Sequence, residues 1–208
     1  MHIDTLDEER LLKAVEILAE RDSDLAAIVW RYGAPPMWSR PPGFSTLIRI
    51  ILEQQVSLSS ARAAYNRLEE MTGEITPTSF LKLNDTDLKA VGFSRQKTHY
   101  GRLLAEALLN GSFDLGGVNN LPDEDARALL MKLKGIGRWS ADIYLLMALL
   151  RPDVWPHNDL ALIEAVTRIK GLDKPPTRAE WNEIGEMWRP WRSIAARIVW
   201  LDYLGGKT

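Results

Sequence analysis

The chain has 208 residues, 46% hydrophobic and 26% charged, a balance that suits one folded domain or two small lobes and excludes wholesale disorder. It has no cysteine and only three histidines (His2, His99, His157), with no pair at metal-ligand spacing. Disulfides, thiolate zinc, cysteine-ligated iron–sulfur clusters and thiol nucleophiles are thereby excluded, and a net charge of −2 does not by itself announce a polyanion partner.

The acidic start MHIDTLDEER lacks the basic and apolar regions of a secretory signal, and the longest apolar run, Ile143 to Leu150, is too short to span a bilayer. A cytoplasmic protein is expected. Apolar residues recur at spacings of three and four almost throughout, with no useful stretch of period two, so the fold class is all-α with about ten to twelve short helices. In chain order, Ser23 starts DLAAIVWRY, and the four prolines of Ala34 to Gly43 form an ordered loop. A long helix then runs from near Phe44 to Val56. Ser94 starts the helix that ends at Asn110, Pro122 with Asp123 and Glu124 opens the next, and Thr177 with Glu180 forms a capping box. Gly33, Gly73, Gly92, Gly111 and Gly171 mark helix ends.

Charge is unevenly spread. Leu88 to Ala105 holds Lys89, Arg95, Lys97 and Arg102 with no carboxylate, and Ala126 to Ala141 holds Arg127, Lys132, Lys134 and Arg138 with none. Such stretches either track a phosphate backbone or are solvated helix faces.

The most informative segment is Leu129 to Asp159. A helix ending at Leu133 is followed by the hairpin Lys134-Gly135-Ile136-Gly137 and a second helix starting near Arg138. Two glycines one residue apart permit a tight reversal, Ile136 can plug the gap between the helices, and the outward N–H groups form an anion site flanked by Lys134 and Arg138. The alternative is a helical hairpin with a glycine turn and no ligand. The helix from Arg138 to Leu150 would be roughly 20 Å long. The loop Arg151 to Asn158 stretches to about 26–29 Å, enough to return Asp159 toward the start of that helix. Asp159 then opens a further helix, either with Asn158 as its cap or as a capping acid itself.

LKGIGRWSADIYLLMALL followed by VWPHNDLAL resembles the helix–hairpin–helix, Gly/Pro-rich loop and aspartate signature of the HhH-GPD superfamily of base-excision DNA glycosylases. Three further segments, Phe44 to Ala64, Leu88 to Gly111 and Trp188 to Tyr203, resemble the 3-methyladenine DNA glycosylase II (AlkA-type) branch in the same order. The resemblance implies two interleaved helical lobes with a DNA-binding cleft, and a helix–hairpin–helix at about 123–150. With only about 40 residues before Phe44, it also implies a core without the family's N-terminal β domain.

The same resemblance makes Asp159 the catalytic carboxylate. It places Trp139 and Trp200 in the base pocket, with Tyr144 one position from the family's pocket tyrosine. DNA contacts fall to Lys134, Gly135, Ile136, Gly137, Arg138, Gln54, Gln55 and Ser57, with Gln55 aligned to the intercalating side chain and Glu53 standing where a glycine is usual. The bland reading of Gln54 and Gln55 is helix-end hydrogen bonding. Backbone carbonyls of Leu133 and Ile136 match a structural monovalent-cation site (Na or K), and no cofactor is required. Relatives that cleave the strand carry a lysine where Trp139 stands, so a monofunctional glycosylase excising cationic alkylated purines is implied. Its partner would be double-stranded DNA containing damaged bases, met as a monomer and without a membrane. A catalytically inactive damage-binding protein and a glycosylase for deaminated or mismatched bases remain alternatives. Trp188, Trp191 and Arg192 are expected to pack with a paired arginine. Trp30, Trp155 and Trp181 are expected in core or surface clusters, and Trp38 near the mouth of the cleft.

Overall fold

The computed structural model describes residues 4–205, and among these it is entirely helical, with twelve α-helices and one 3-10 turn. Two compact units divide the chain: a terminal unit, formed by residues up to Ser39 and from Leu149 onward, and a central unit, Arg40–Ala148.

The terminal unit holds α1 (Glu8–Arg21), α2 (Ser23–Tyr32), α10 (Leu160–Ile169), α11 (Arg178–Met187) and α12 (Arg192–Gly205). α12 is its axis, packing against α1, α2 and α10 with Ile194, Ala195, Ala196, Ile198 and Val199 fully buried. Fully burying a side chain as large as Ile or Val is worth about 1.5–3 kcal/mol, so one such helix can organise its neighbours. A second cluster stacks Trp155 on Trp181 at 4.5 Å and sets Trp188 edge-on to Trp155 at 5.1 Å. Gly185 leaves room for it, since a Cβ there would lie 2.7 Å from the Trp155 ring. The cap of α2 is Asp22 and not Ser23: the Asp22 backbone is extended and its carboxylate accepts the N–H groups of Asp24 and Leu25. The same carboxylate takes the Lys170 ammonium at 2.8 Å and the Trp188 indole N–H at 2.8 Å. Burial pushes the Asp22 carboxyl up, but these hydrogen bonds prevail and hold it below its ordinary value.

The central unit holds α3 (Phe44–Glu53), α4 (Leu58–Thr72), α5 (Pro77–Leu81), α6 (Asp85–Val91), α7 (Arg95–Leu109), the 3-10 turn Gly117–Asn120, α8 (Asp123–Leu130) and α9 (Arg138–Met147). α3 packs against α4, α7 and α9 through Leu47, Ile48, Ile50 and Ile51, all fully buried. Phe80 meets Phe44 and Phe93 edge-on at 5.7 and 5.5 Å, and Gly101 on α7 admits its ring. The ends of this unit are tied by Arg40 N–H donating to the Met147 carbonyl at 2.9 Å.

Three helix ends fall short of the periodic pattern. α3 stops at Glu53 because Gln54 is extended and Gln55 is left-handed, with φ of 56°. α8 stops at Leu130 and passes through tight turns to Leu133. α9 stops at Met147, and Leu150 is left-handed with φ of 53° ahead of Pro152. The capping box of Thr177 and Glu180 is present as expected, and Gly33, Gly73, Gly92, Gly111 and Gly171 all have positive φ at or just past helix ends.

Candidate functional site

In the central unit the reversal between α8 and α9 is built around Gly135. Its φ of 90° suits glycine, and a Cβ there would lie 2.4 Å from ring atoms of Tyr100 on α7. Ile136 is buried and donates its N–H to the Leu133 carbonyl at 3.0 Å, plugging the turn as its position suggested. Gly137 then caps α9 and has no side chain to accept the first N–H groups of the helix, a start suited to an anion. Lys134 and Arg138 flank them on the exposed surface.

The basic stretches contribute less to that surface than their composition suggests. Arg127 is buried in ion pairs with Asp142 and Glu124, and Arg102 pairs with Asp85. Lys97 is turned inward. Its ammonium donates to the carbonyls of Leu52 and Gln54, both at 2.8 Å, and desolvation holds its pKa below the ordinary lysine value. Lys89, Arg95, Lys132, Lys134 and Arg138 remain exposed.

The turn after α3 is fixed from three sides. Glu53 makes a two-pronged pair with Arg40 at 2.8 and 2.9 Å and also meets Arg49 at 3.3 Å. These pairs give Glu53, a departure from the glycine that the resemblance implies, two cationic partners. Lys97 holds two of the turn's carbonyls, as above. Gln54 donates its side-chain amide to the Gly135 carbonyl and the Ser140 hydroxyl, both at 2.9 Å, so that amide ties the turn to the hairpin. Gln55 is exposed at the tip. Ser57 caps α4, its hydroxyl accepting Ser60 N–H at 3.2 Å.

In the terminal unit Asp159 is itself the N-cap of α10. Asn158 does not cap the helix; it adopts a left-handed φ of 54° that turns the chain into Asp159. One Asp159 oxygen, Oδ1, accepts Leu162 N–H at 2.9 Å and the Trp200 indole N–H at 3.3 Å. Both residues are nearly enclosed, at 7% and 8% exposure. Both donors to Oδ1 are N–H groups, and the Asp159 side chain lies at the N-terminus of α10, where the helix dipole favours negative charge.

Tyr144 does not serve a base pocket. It is completely buried, its hydroxyl accepts Gly43 N–H at 3.0 Å, and burial pushes its pKa up to about 12. Its position on the inward face of α9 fixes the start of α3. Trp139 is half-exposed in the first turn of α9. Trp155, Trp181 and Trp188 are core, Trp191 lies under the Arg10 guanidinium, and Trp30 is 90% exposed. Trp38 is half-buried with φ of 49°, following Met37, whose carbonyl accepts the buried Arg197. Arg192 is paired, to Asp153 at 2.8 Å. Among the described residues no group of three or more His, Asp or Glu side chains is placed to hold a metal, and His2 lies outside them.

Residues 48–190 match the family model of the HhH-GPD superfamily base excision DNA repair proteins, well over half of the chain. The chain belongs to the HhH-GPD superfamily. DNA-3-methyladenine glycosylase 1 of Schizosaccharomyces pombe is 28% identical over 187 residues, 88% of this chain and 82% of that protein. YfjP of Bacillus subtilis is 26% identical over 186 residues, covering 86% of this chain, which spans only 65% of YfjP's length. Among solved structures, S. pombe 3-methyladenine DNA glycosylase in complex with abasic DNA superposes with a TM-score of 0.84 at 29% identity, covering 90% of this chain and 95% of that one. In this HhH-GPD chain the interval matched to the family includes the α3–α4 turn, the hairpin, Trp139 and Asp159, while Trp200 lies beyond it.

Lys97, Tyr100 and the Arg40–Glu53 pair were missed as site-shaping residues by sequence reasoning. Only Glu53 carried a signal, as a departure from the family's glycine.

Proposed function

We propose that this HhH-GPD protein is a monofunctional DNA glycosylase that hydrolytically excises alkylated purines, of the 3-methyladenine and 7-methylguanine type, from double-stranded DNA. The observation that carries this reading is the Asp159 carboxylate, nearly enclosed and held through Oδ1 by Leu162 N–H and the Trp200 indole. The names of the relatives support the substrate class.

In this mechanism the C1′–N bond breaks with its electron pair leaving on the base, and the sugar becomes an oxocarbenium-like cation. Asp159 stabilises that cation and orients the water that adds to C1′, accepting or relaying its proton. N3- and N7-alkylated purines are already cationic, and an aromatic face attracts them at roughly 0.5–2 kcal/mol per ring, a part for which Trp200 beside Asp159 in the terminal unit and Trp139 in the central unit are each suited. Trp139 stands where strand-cleaving relatives have a lysine and offers no amine, so no Schiff base forms. The start of α9, with Lys134 and Arg138, binds a phosphate, and Gln55 enters the space vacated by the flipped base.

The Leu133 carbonyl accepts Ile136 N–H and keeps a second lone pair. Together with the Ile136 carbonyl it offers neutral oxygen donors of the kind that suit Na or K. An ion there would add positive charge beside the phosphate and take no part in bond breaking.

The test is incubation of the purified protein with duplexes carrying 7-methylguanine, 3-methyladenine, uracil or hypoxanthine, followed by chromatography of released bases and borohydride trapping. Released methylpurine with intact abasic strands is expected. Binding without release identifies a damage-binding protein, preferential release of uracil or hypoxanthine assigns another lesion class, and a trapped covalent adduct refutes monofunctional hydrolysis.

A further inference from the structure

The side chain at the tip of the α3–α4 turn, Gln55, has a left-handed backbone that costs about 1–2 kcal/mol for a residue other than glycine. Something must hold it. The carbonyls on either side of the bend, Leu52 and Gln54, belong to the helix end, where main-chain acceptors lack intrahelical partners. Both are taken by the single Lys97 ammonium at 2.8 Å. Lys97 is itself fixed in the first turn of α7, its N–H bound to the Ser94 hydroxyl at 3.2 Å. On the other side, the Gln54 amide ties the same bend to Gly135 and Ser140, and Tyr100 from α7 packs against Gly135. The bend and the glycine hairpin are thus parts of one preformed platform, 81 residues apart in sequence, with Gln55 exposed at its tip.

We infer that Lys97 is a positioning residue for duplex opening: it spends its charge on the two carbonyls of the bend rather than on DNA phosphate, and with Gln54 it holds Gln55 in the conformation that enters the base stack. This rests on the reading of Gln55 as the inserted side chain. A preformed wedge avoids the cost of ordering a loop during insertion. Loss of the charged hydrogen bonds should lower the insertion equilibrium by on the order of ten- to a hundredfold. Because Lys97 is not a phosphate contact, removing it should leave the salt dependence of binding unchanged, whereas loss of a true phosphate contact lowers the slope by about one.

The test uses a duplex with a stable abasic analogue and 2-aminopurine at the opposite position, so that insertion is read by fluorescence without any base release. Wild type, Lys97→Met, Gln54→Ala and Lys134→Ala are compared at saturating protein, and each is titrated at several salt concentrations after its helical circular dichroism has been checked. Lys97→Met and Gln54→Ala are expected to bind with the wild-type salt slope but lose most of the fluorescence change, whereas Lys134→Ala loses slope and keeps the change once bound. Wild-type fluorescence in Lys97→Met, or a slope reduced by about one in it, would overturn the inference. If Lys97→Met does not fold, Gln54→Ala decides alone. Failure of the glycosylase reading would show in the base-release assay and not here.

Discussion

Replacing Gly135 with alanine tests the hairpin geometry quantitatively. Its φ of 90° lies where an L-residue is strained, at about 1–2 kcal/mol. The added Cβ would also lie 2.4 Å from Cγ and Cδ2 of Tyr100 and 2.9 Å from its Cβ. A rotamer change moves Cγ and Cδ2 but leaves Cβ at 2.9 Å, so backbone must shift, at about 1–3 kcal/mol. The sum, about 2–5 kcal/mol, should lower the urea midpoint by roughly 1–2 M at the slopes usual for small proteins. Making the same change in a Tyr100→Ala background removes the Cγ and Cδ2 contacts and leaves the backbone strain with the 2.9 Å approach of the Cβ that alanine keeps, so a smaller loss is expected there. A wild-type midpoint for Gly135→Ala, or an equal loss in both backgrounds, would refute the argument.

Other outcomes follow from the same contacts. Asp22→Asn removes the anionic partner of Lys170 and should cost about 1–3 kcal/mol at neutral pH, measured by thermal or urea unfolding. Since the folded Asp22 carboxyl is held below its ordinary value, its contribution is present above the usual carboxylate range and is lost as pH falls through the depressed value. Acid destabilisation between those limits should therefore be shallower in the variant. Glu53→Gln leaves Arg40, whose side chain is only 11% exposed, without its carboxylate, and should lower stability by about 2–4 kcal/mol in urea unfolding. Trp200→Phe keeps a ring but deletes the N–H held 3.3 Å from Asp159. Single-turnover base release should slow by about three- to tenfold.

The all-α class, most helix starts and the glycine stops were legible because they depend on local periodicity and caps. What the chain concealed was partner choice across long separations. Gln54 reads as a polar helix-end residue until Gly135 and Ser140 fold against it, and Lys97, Arg102 and Arg127 read as surface charge although each is taken up by carbonyls or carboxylates of its own unit. Tyr144 was drawn toward the base pocket by its neighbour's alignment, yet every position in that turn of α9 is buried, so proximity in sequence placed it in the core. Asp159 is the instructive case. Local rules make it a capping acid and the resemblance makes it catalytic, and its cap geometry is compatible with both, because the hydrogen bonds that start α10 also fix the carboxylate.

Substituting asparagine for Asp159 separates these roles, since asparagine caps as well as aspartate and its carbonyl oxygen can accept Leu162 N–H and the Trp200 indole N–H. The decisive measurement is the single-turnover rate of 7-methylguanine release from duplex DNA by wild type and Asp159→Asn, alongside unfolding and DNA-binding titrations. A fall on the order of a hundred- to ten-thousandfold, with stability and binding within about twofold of wild type, is the expected result. Release at the wild-type rate would show that this carboxylate is only a cap.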